Sequence, residues 1–337
     1  MNKIVYFDVQ NYEKEFLKKH NEGKYDYHLE SNSLNNLASL KEEYKDAKVI
    51  SVFTTSRVSN KVLAQFPKLE LIALRSVGFN HIDIDYCSER GIVVENTPNY
   101  GNKSVAEFAI ALLLDVCRKV TFSYTEYKEA HVKATALIGN ELGGKTIGIV
   151  GLGAIGAEFA KLAHGFDMKI LGYDFSQRQE LIEKYNVKYT DFDTLLKESD
   201  FISLHAPLTK ENKHMFNENA FAKMKKTSII INTARGELID TQALFNALTR
   251  KEIAGAGLDV LESEEAISDP DYLADIGKLD ECALKQTVLN NRLLQLPNVI
   301  ITPHIAYNTH EAINRILKTT MSNINSFFDG VVNNNVN

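Results

Sequence analysis

Residues 146–163 read TIGIVGLGAIGAEFAKLA: an apolar strand, a turn with glycines spaced G-x-G-x-x-G, then an amphipathic helix. Gly151 permits the tight turn, Gly153 lets the backbone approach a pyrophosphate, and Gly156 lets the helix pack close to the strand. The helix opens at Ala154 and Ile155, where unpaired N–H groups and a positive dipole end would face phosphate oxygens. The next strand, KILGYD, ends in Asp174, close to where a ribose-binding carboxylate belongs. This context predicts a dinucleotide site. A carboxylate at 174 accepts ribose hydroxyls and repels a 2′-phosphate, which favours NAD over NADP. Arg178, four residues on, is read as a solvated surface arginine before a phosphate ligand.

The turn begins well over a hundred residues into a chain of 337, a length that suggests two domains. Before it, KIVYFDV, AKVISVFT, LELIALRSV and GIVVENT read as strands, with polar, helix-favouring stretches such as residues 33–47 between them. Strands spaced by crossovers imply a parallel α/β sheet. A long helix is expected from Ser104, with Ser104 and Glu107 as a capping box. Its apolar positions are too dense for a surface helix, so it should be buried between domains or in a subunit contact. From Thr146 the alternation resumes through KILGYD, FISLH, SIIINTA, AGAGLDV and NVIITPH, giving a doubly wound sheet of about six strands. One more helix runs to Gly330, and the polar tail VVNNNVN should fray. Residues 265–297 read as an insertion, acidic at first and then helical.

Composition excludes several classes. At 44% hydrophobic and 24% charged, with a net charge of −6, the chain reads as a globular protein without a nucleic-acid-seeking surface. Cys87, Cys117 and Cys282 have no metal spacing and no disulfide pattern, so they are read as free thiols in a reducing compartment and no metal is expected. MNKIVYFDVQ lacks the features of a leader, and Asp115 interrupts the most apolar helix, so no membrane span is expected and a cytoplasmic enzyme is the default.

Four polar residues sit at or just beyond strand ends, where open α/β sheets place their ligands: Arg235, Asp259, Glu264 and His304. Each alone has a structural explanation, since an arginine there often pairs with a carboxylate and a lone histidine is often structural. Together, beside a cofactor unit, they fit hydride transfer to a 2-keto acid. Arg235 can grip a carboxylate with two parallel hydrogen bonds, and His304 can donate the proton that the carbonyl oxygen takes. Glu264 would favour the imidazolium, and Asp259 would orient the nicotinamide or a nearby side chain. His205 is a rival base, ranked below His304.

The segments TIGIVGLGAIG, SLHAPLT, INTARGELIDTQAL, GAGLDVLESE and NVIITPHIA, in this order, resemble the D-isomer-specific 2-hydroxyacid dehydrogenases over roughly residues 69–306. The resemblance implies that Arg235 binds substrate and that Glu264 partners the acid/base His304. It implies a cofactor pocket of Gly151, Gly153, Ala154, Ile155, Gly156, Asp174, Ala206, Pro207, Asn212, Thr233, Ala234 and Asp259. Val77 and Gly78, in RSVGFNHID, would offer backbone N–H groups to the substrate carboxylate, with Tyr100 and Tyr307 lining the pocket. It also accounts for the depth of the glycine turn. Two doubly wound parallel-sheet domains are implied, with a Rossmann NAD-binding domain (102–304) inserted into a flavodoxin-like substrate domain (1–101 and 305–337). Hinges near Gly101 and Ala306 would close a cleft over substrate.

Within that family, LRSVGFNHID and PHIAYNT look most like the D-lactate dehydrogenases, and a homodimer is implied. Dehydrogenases of larger 2-keto acids, of the 2-hydroxyisocaproate or phenyllactate type, remain open because one methylene discriminates weakly. An NAD-sensing, corepressor-like scaffold is a further alternative, to which the absence of long disordered tails is unfavourable.

Overall fold

The computed structural model describes residues 1–35, 40–129, 137–264 and 281–337. The chain divides into two compact units, Met1–Tyr100 with Thr309–Asn337, and Gly101–Asn308.

In the first unit, β1 (Lys3–Tyr6), β2 (Asp26–Leu29), β3 (Val49–Val52), β4 (Leu71–Leu74) and β5 (Val93–Glu95) form a parallel sheet in the order β2-β1-β3-β4-β5. This is the flavodoxin-like order. VISV and LIAL are buried at every position, as strands covered on both faces must be. On one face, Leu17, Leu317, Met321 and Ile324 from helices Asn11–Asn21 and His310–Phe328 pack on Ile4, Tyr6, Val49 and Leu71. On the other, Val62, Leu63, Phe66 and Cys87 pack on Val5, Ile50, Ile72 and Val94. The edge strand β2, DYHL, buries none of its residues, so it lacks the apolar signature that marks the others. Within the described part of residues 33–47 the helix-favouring run holds a single 3-10 turn, Glu42–Tyr44. Leu34, Tyr44 and Ala47 are buried there.

The tail departs from expectation. It does not fray but lies along β5: Asn96 N–H donates to the Asn334 carbonyl (3.0 Å), Val336 N–H donates to the Val94 carbonyl (2.9 Å), and Asn335 faces Glu95 in an antiparallel bridge. The Asn337 side chain accepts from Val94 N–H (2.9 Å) and donates to the Ile92 carbonyl (2.8 Å). The polarity that suggested fraying supplies the donors and acceptors that an open sheet edge lacks.

In the second unit, β6 (Thr146–Val150), β7 (Lys169–Tyr173), β8 (Lys188–Tyr189), β9 (Phe201–Leu204), β10 (Ile229–Asn232), β11 (Gly255–Leu258) and β12 (Val299–Ile301) are all parallel, in the order β12-β11-β10-β9-β6-β7-β8. From β8 to β11 this is the Rossmann order, with β12 added at the far edge. Sequence periodicity missed β8, which is two residues long. Strand order reverses between β6 and β9, and ligands bind outside the carboxyl ends of strands at such a point.

The long helix spans Asn102–Arg118 and starts two residues before the expected Ser104. The capping box does not form. Gly101 is the N-cap, and Ser104 Oγ, already inside the first turn, donates back to the Gly101 carbonyl at 3.1 Å. The dense apolar face is used within its own unit: Ala106, Ala109, Leu112, Leu113 and Cys117 pack with Ile147, Ile149, Phe159 and Ile231. Cys87 and Cys117 are free and buried. In the region read as an insertion, Glu281–Leu294 is helical, while residues 265–280 lie outside the described residues. Among the described residues no helix is long and apolar enough to cross a membrane.

Candidate active site

The glycine turn joins β6 to helix Ala154–Gly165. Gly151 has φ +89°, and a Cβ there would lie 2.6 Å from Ala206 N, so both the turn and the neighbouring strand end require glycine. A Cβ on Gly153 would meet nothing within 4 Å, so the turn opens onto free space. Gly153 provides no side-chain cap, leaving the first-turn N–H groups at Ala154 and Ile155 to face that space with the positive end of the helix. Asp174, just beyond β7, accepts from Leu152 N–H (2.6 Å) and Ser176 N–H (3.0 Å), which fixes its carboxylate against the turn. Arg178 is not simply solvated: it donates to the carbonyls of Leu152 (3.3 Å) and Gly153 (3.2 Å) and pairs with Glu180.

Beyond β9, Ala206 and Pro207 begin a loop that Asn212 closes. Asn212 accepts from Thr209 N–H and donates to the Pro207 carbonyl, both at 2.7 Å. Beyond β10, Thr233 is buried and its hydroxyl has no partner among the described residues, while Ala234 N–H donates to Asn232. An open glycine turn, unpaired helix N–H groups, a fixed carboxylate and an orphaned buried hydroxyl fit a nicotinamide dinucleotide.

The polar cluster lies at the carboxyl ends of β10, β11 and β12. The Arg235 guanidinium makes one hydrogen bond among the described residues, from Nη1 to the Ala234 carbonyl (2.6 Å). Gly236 then packs so tightly that a Cβ would sit 2.1 Å from the Leu261 carbonyl carbon, which brings the Arg235 turn against the segment leading to Glu264.

Asp259 is 1% exposed. Its carboxylate accepts from Thr302 Oγ1 (2.5 Å), Ile305 N–H (3.0 Å) and Ala306 N–H (2.8 Å). Burial pushes its pKa up, against the pull of these donors and of His304. Asp259 therefore holds the turn that carries His304. These bonds also keep residues 305 and 306 with the second unit, where the sequence had assigned them to the first.

His304 has φ +53°, an uncommon conformation for a residue with a side chain. Its backbone N–H donates to the Asp259 carbonyl (2.9 Å), and its Nδ1 lies 2.5 Å from Glu264 Oε1. Desolvation disfavours the imidazolium, but the hydrogen bond and charge of Glu264, with the charge of Asp259, outweigh it. Arg235 opposes them, and the net pKa is raised above 6.5. Nε2 makes no hydrogen bond among the described residues. The rival His205 is different: its Nε2 contacts Ser203 Oγ (2.9 Å), its ring lies against Phe159, and burial lowers its pKa to about 3. It is neutral at physiological pH and cannot serve as a proton donor there.

Sequence reading passed over two contributors. Thr302, two residues before His304, fixes Asp259. Glu262 pairs with His214 (2.6 Å) and accepts from Thr241 N–H (3.1 Å) and Oγ1 (2.6 Å). LESE holds two glutamates, and the fold sends one to each histidine. The sequence signal was the T-x-H spacing for Thr302. For Glu262 there was none.

Val77 and Gly78 lie in the first unit, just after β4, and neither N–H donates to an acceptor among the described residues. The Tyr100 carbonyl accepts from Arg315 Nε (2.7 Å). Tyr307 lies in the second unit, with its Cβ 3.7 Å from where a Cβ on Gly101 would be.

Residues 110–306 match the family model described as D-isomer specific 2-hydroxyacid dehydrogenase, NAD binding domain. The chain is 40% identical over 300 residues to a glyoxylate reductase of Thermococcus litoralis, covering 87% of this chain and 84% of the relative. It is 34% identical over 330 residues to a D-lactate dehydrogenase of Escherichia coli, covering 97% of each. The crystal structure of a D-lactate dehydrogenase from Aquifex aeolicus, complexed with NAD and lactic acid, superposes with a TM-score of 0.84 at 36% identity, over 97% of this chain and 96% of that one. With its Rossmann-ordered sheet and the glycine turn beneath it, the chain belongs to the D-isomer-specific 2-hydroxyacid dehydrogenases, NAD-binding oxidoreductases of small 2-hydroxy and 2-keto acids.

Proposed function

We propose that this chain is a D-lactate dehydrogenase that reduces pyruvate to D-lactate. The observation that carries the reading is the Glu264–His304 pair at 2.5 Å, with its raised histidine pKa, beside an arginine whose fork is mostly unspent. Bound NADH supplies the hydride. Arg235 grips the substrate carboxylate through two N–H groups and orients the keto carbon. N–H groups of Val77 and Gly78 are read as carboxylate donors. His304 Nε2–H donates its proton to the carbonyl oxygen as negative charge develops there. Glu264 holds Nδ1–H and stabilises the imidazolium until that transfer, and Asp259 keeps the His304 turn in place.

Pyruvate is favoured by RSVGFNHID and PHIAYNT and by the D-lactate dehydrogenases among the relatives. The T. litoralis relative supports a second reading, glyoxylate, which is one methyl smaller. An apolar pocket separates such substrates by only about 10–200-fold. The test is NADH oxidation with pyruvate, glyoxylate, 2-ketobutyrate, 2-ketoisocaproate and phenylpyruvate, NADPH in parallel, and chiral analysis of the product. Fastest turnover of pyruvate to the D-product with NADH is expected. A preference for glyoxylate or a larger acid would keep the mechanism and replace the substrate. Tight NADH binding with no turnover would favour the scaffold role.

We further propose a homodimer. Helix Val120–Lys128 buries none of its residues and exposes Val120, Tyr124 and Tyr127 by 55%, 66% and 78%. Apolar side chains grouped on one short helix mark an association surface. Light scattering is expected to return the mass of two chains, and Tyr124→Arg with Tyr127→Arg to return one. A monomeric wild type would refute this.

A further inference from the structure

The two peptide groups beside the proposed carboxylate donors are held from behind by one short segment. The Ser76 carbonyl, in the peptide that carries Val77 N–H, accepts from Thr97 N–H at 2.9 Å. The Val77 carbonyl, in the peptide that carries Gly78 N–H, accepts from Asn96 Nδ2 at 2.9 Å. Both peptides are trans, so each N–H points opposite to its own carbonyl. Fixing the two carbonyls on residues 96 and 97 therefore aims both N–H groups away from that segment. Ser76 Oγ adds a bond to the Gly78 carbonyl (2.7 Å), and Thr97 Oγ1 donates to the Leu74 carbonyl (2.7 Å).

Asn96 is itself held at both ends of its backbone. Its N–H donates to the Asn334 carbonyl in the tail (3.0 Å), and its carbonyl accepts from Asn323 Nδ2 (2.9 Å) on the last helix. Asn334 Nδ2 donates to Asn323 Oδ1 (2.8 Å), which closes the network. Asn323 is 1% exposed and spends both ends of its amide here. A buried amide with every polar atom satisfied has one orientation, and it passes that orientation to its partners.

We propose that Asn96, locked by Asn323 and the tail residue Asn334, is a positioning residue that sets the direction of the Val77 and Gly78 N–H groups toward a substrate carboxylate. This rests on the reading of those two groups as carboxylate donors. The tail then contributes to substrate affinity although it offers no group to the substrate.

The test uses the whole protein, the best keto acid of the panel, and that acid's methyl ester. In Asn96→Ala the KM for the acid should rise about tenfold, the scale of one lost hydrogen bond. Values for the ester and the Kd for NADH should stay as in the wild type, and kcat should change much less than KM. Asn334→Ala, a half-buried position at the sheet edge, should give a weaker loss of the same acid-specific kind, about threefold. It also carries the test if Asn96→Ala does not fold. Gly78→Pro deletes one donor directly and should reduce the preference for acid over ester. If Gly78→Pro reduces that preference and neither asparagine variant does, the positioning role is overturned while the carboxylate reading stands. If Gly78→Pro also leaves the preference unchanged, the carboxylate reading fails and the proposal fails with it. Equal losses for acid and ester in the asparagine variants would mean general loosening and would also overturn it.

Discussion

His304→Gln is expected to lower kcat at least about a hundredfold, the usual scale for a lost general acid, with NADH binding retained. Glutamine keeps a polar, hydrogen-bonding side chain on the turn that Asp259 holds, but it cannot deliver a proton. A small effect would refute the acid role of His304, and the neutral, buried His205 could not replace it. The pH dependence follows from the raised His304 pKa. Reduction needs the imidazolium, so the rate should hold below that raised pKa and fall as pH rises past it. Oxidation of the hydroxy acid needs the neutral ring and should fall as pH drops through the same value. Glu264→Gln removes the charge that favours the imidazolium, so both limbs should move to lower pH. Limbs that do not move would mean that Glu264 leaves the titrating group unaffected.

Arg235→Lys is expected to cost about ten- to a hundredfold in kcat/KM for the keto acid, the range of a lost charge-assisted hydrogen bond. An ammonium retains the charge but cannot make the planar, two-point contact that orients the carboxylate. The loss should appear in KM and kcat together, because orientation of the keto group is part of reaching the transition state. Fluorescence titration of NADH should be unchanged. Wild-type KM and kcat in the variant would rule out the carboxylate clamp.

What could be read along the chain followed from how local the constraint was. Strands buried on both faces, such as VISV, LIAL and IIIN, announce themselves as apolar runs. The glycine turn and Asp174 were legible because phosphate and ribose recognition impose a fixed order of strand, turn and carboxylate. Edge elements gave no such signal. DYHL has no fully buried residue, KY is two residues long, and the tail pairs with β5 in a stretch rich in asparagines that composition alone reads as solvated.

The same boundary divides the site. Arg235, Asp259, Glu264 and His304 could be named from the sequence because each follows a strand, and parallel strands deliver their carboxyl ends to one edge. Their chemistry could be inferred from residue type. The supporting contacts around them could not. The Glu264–His304 pair was expected and forms, but that the neighbouring Glu262 turns to His214, where Gly236 packs tightly on Leu261, was not legible. That Asp259 anchors the 302–306 turn depends on β11 and β12 lying side by side, and that Asn334 reaches Asn96 depends on the tail returning to β5. The sequence by itself determined the fold class and the cofactor unit, written in periodicity and short-range spacing, and it singled out the polar residues at the strand ends. The tertiary structure alone decided that Glu262 meets His214 and what holds each loop still, since those contacts join residues tens to hundreds of positions apart and no local pattern encodes them.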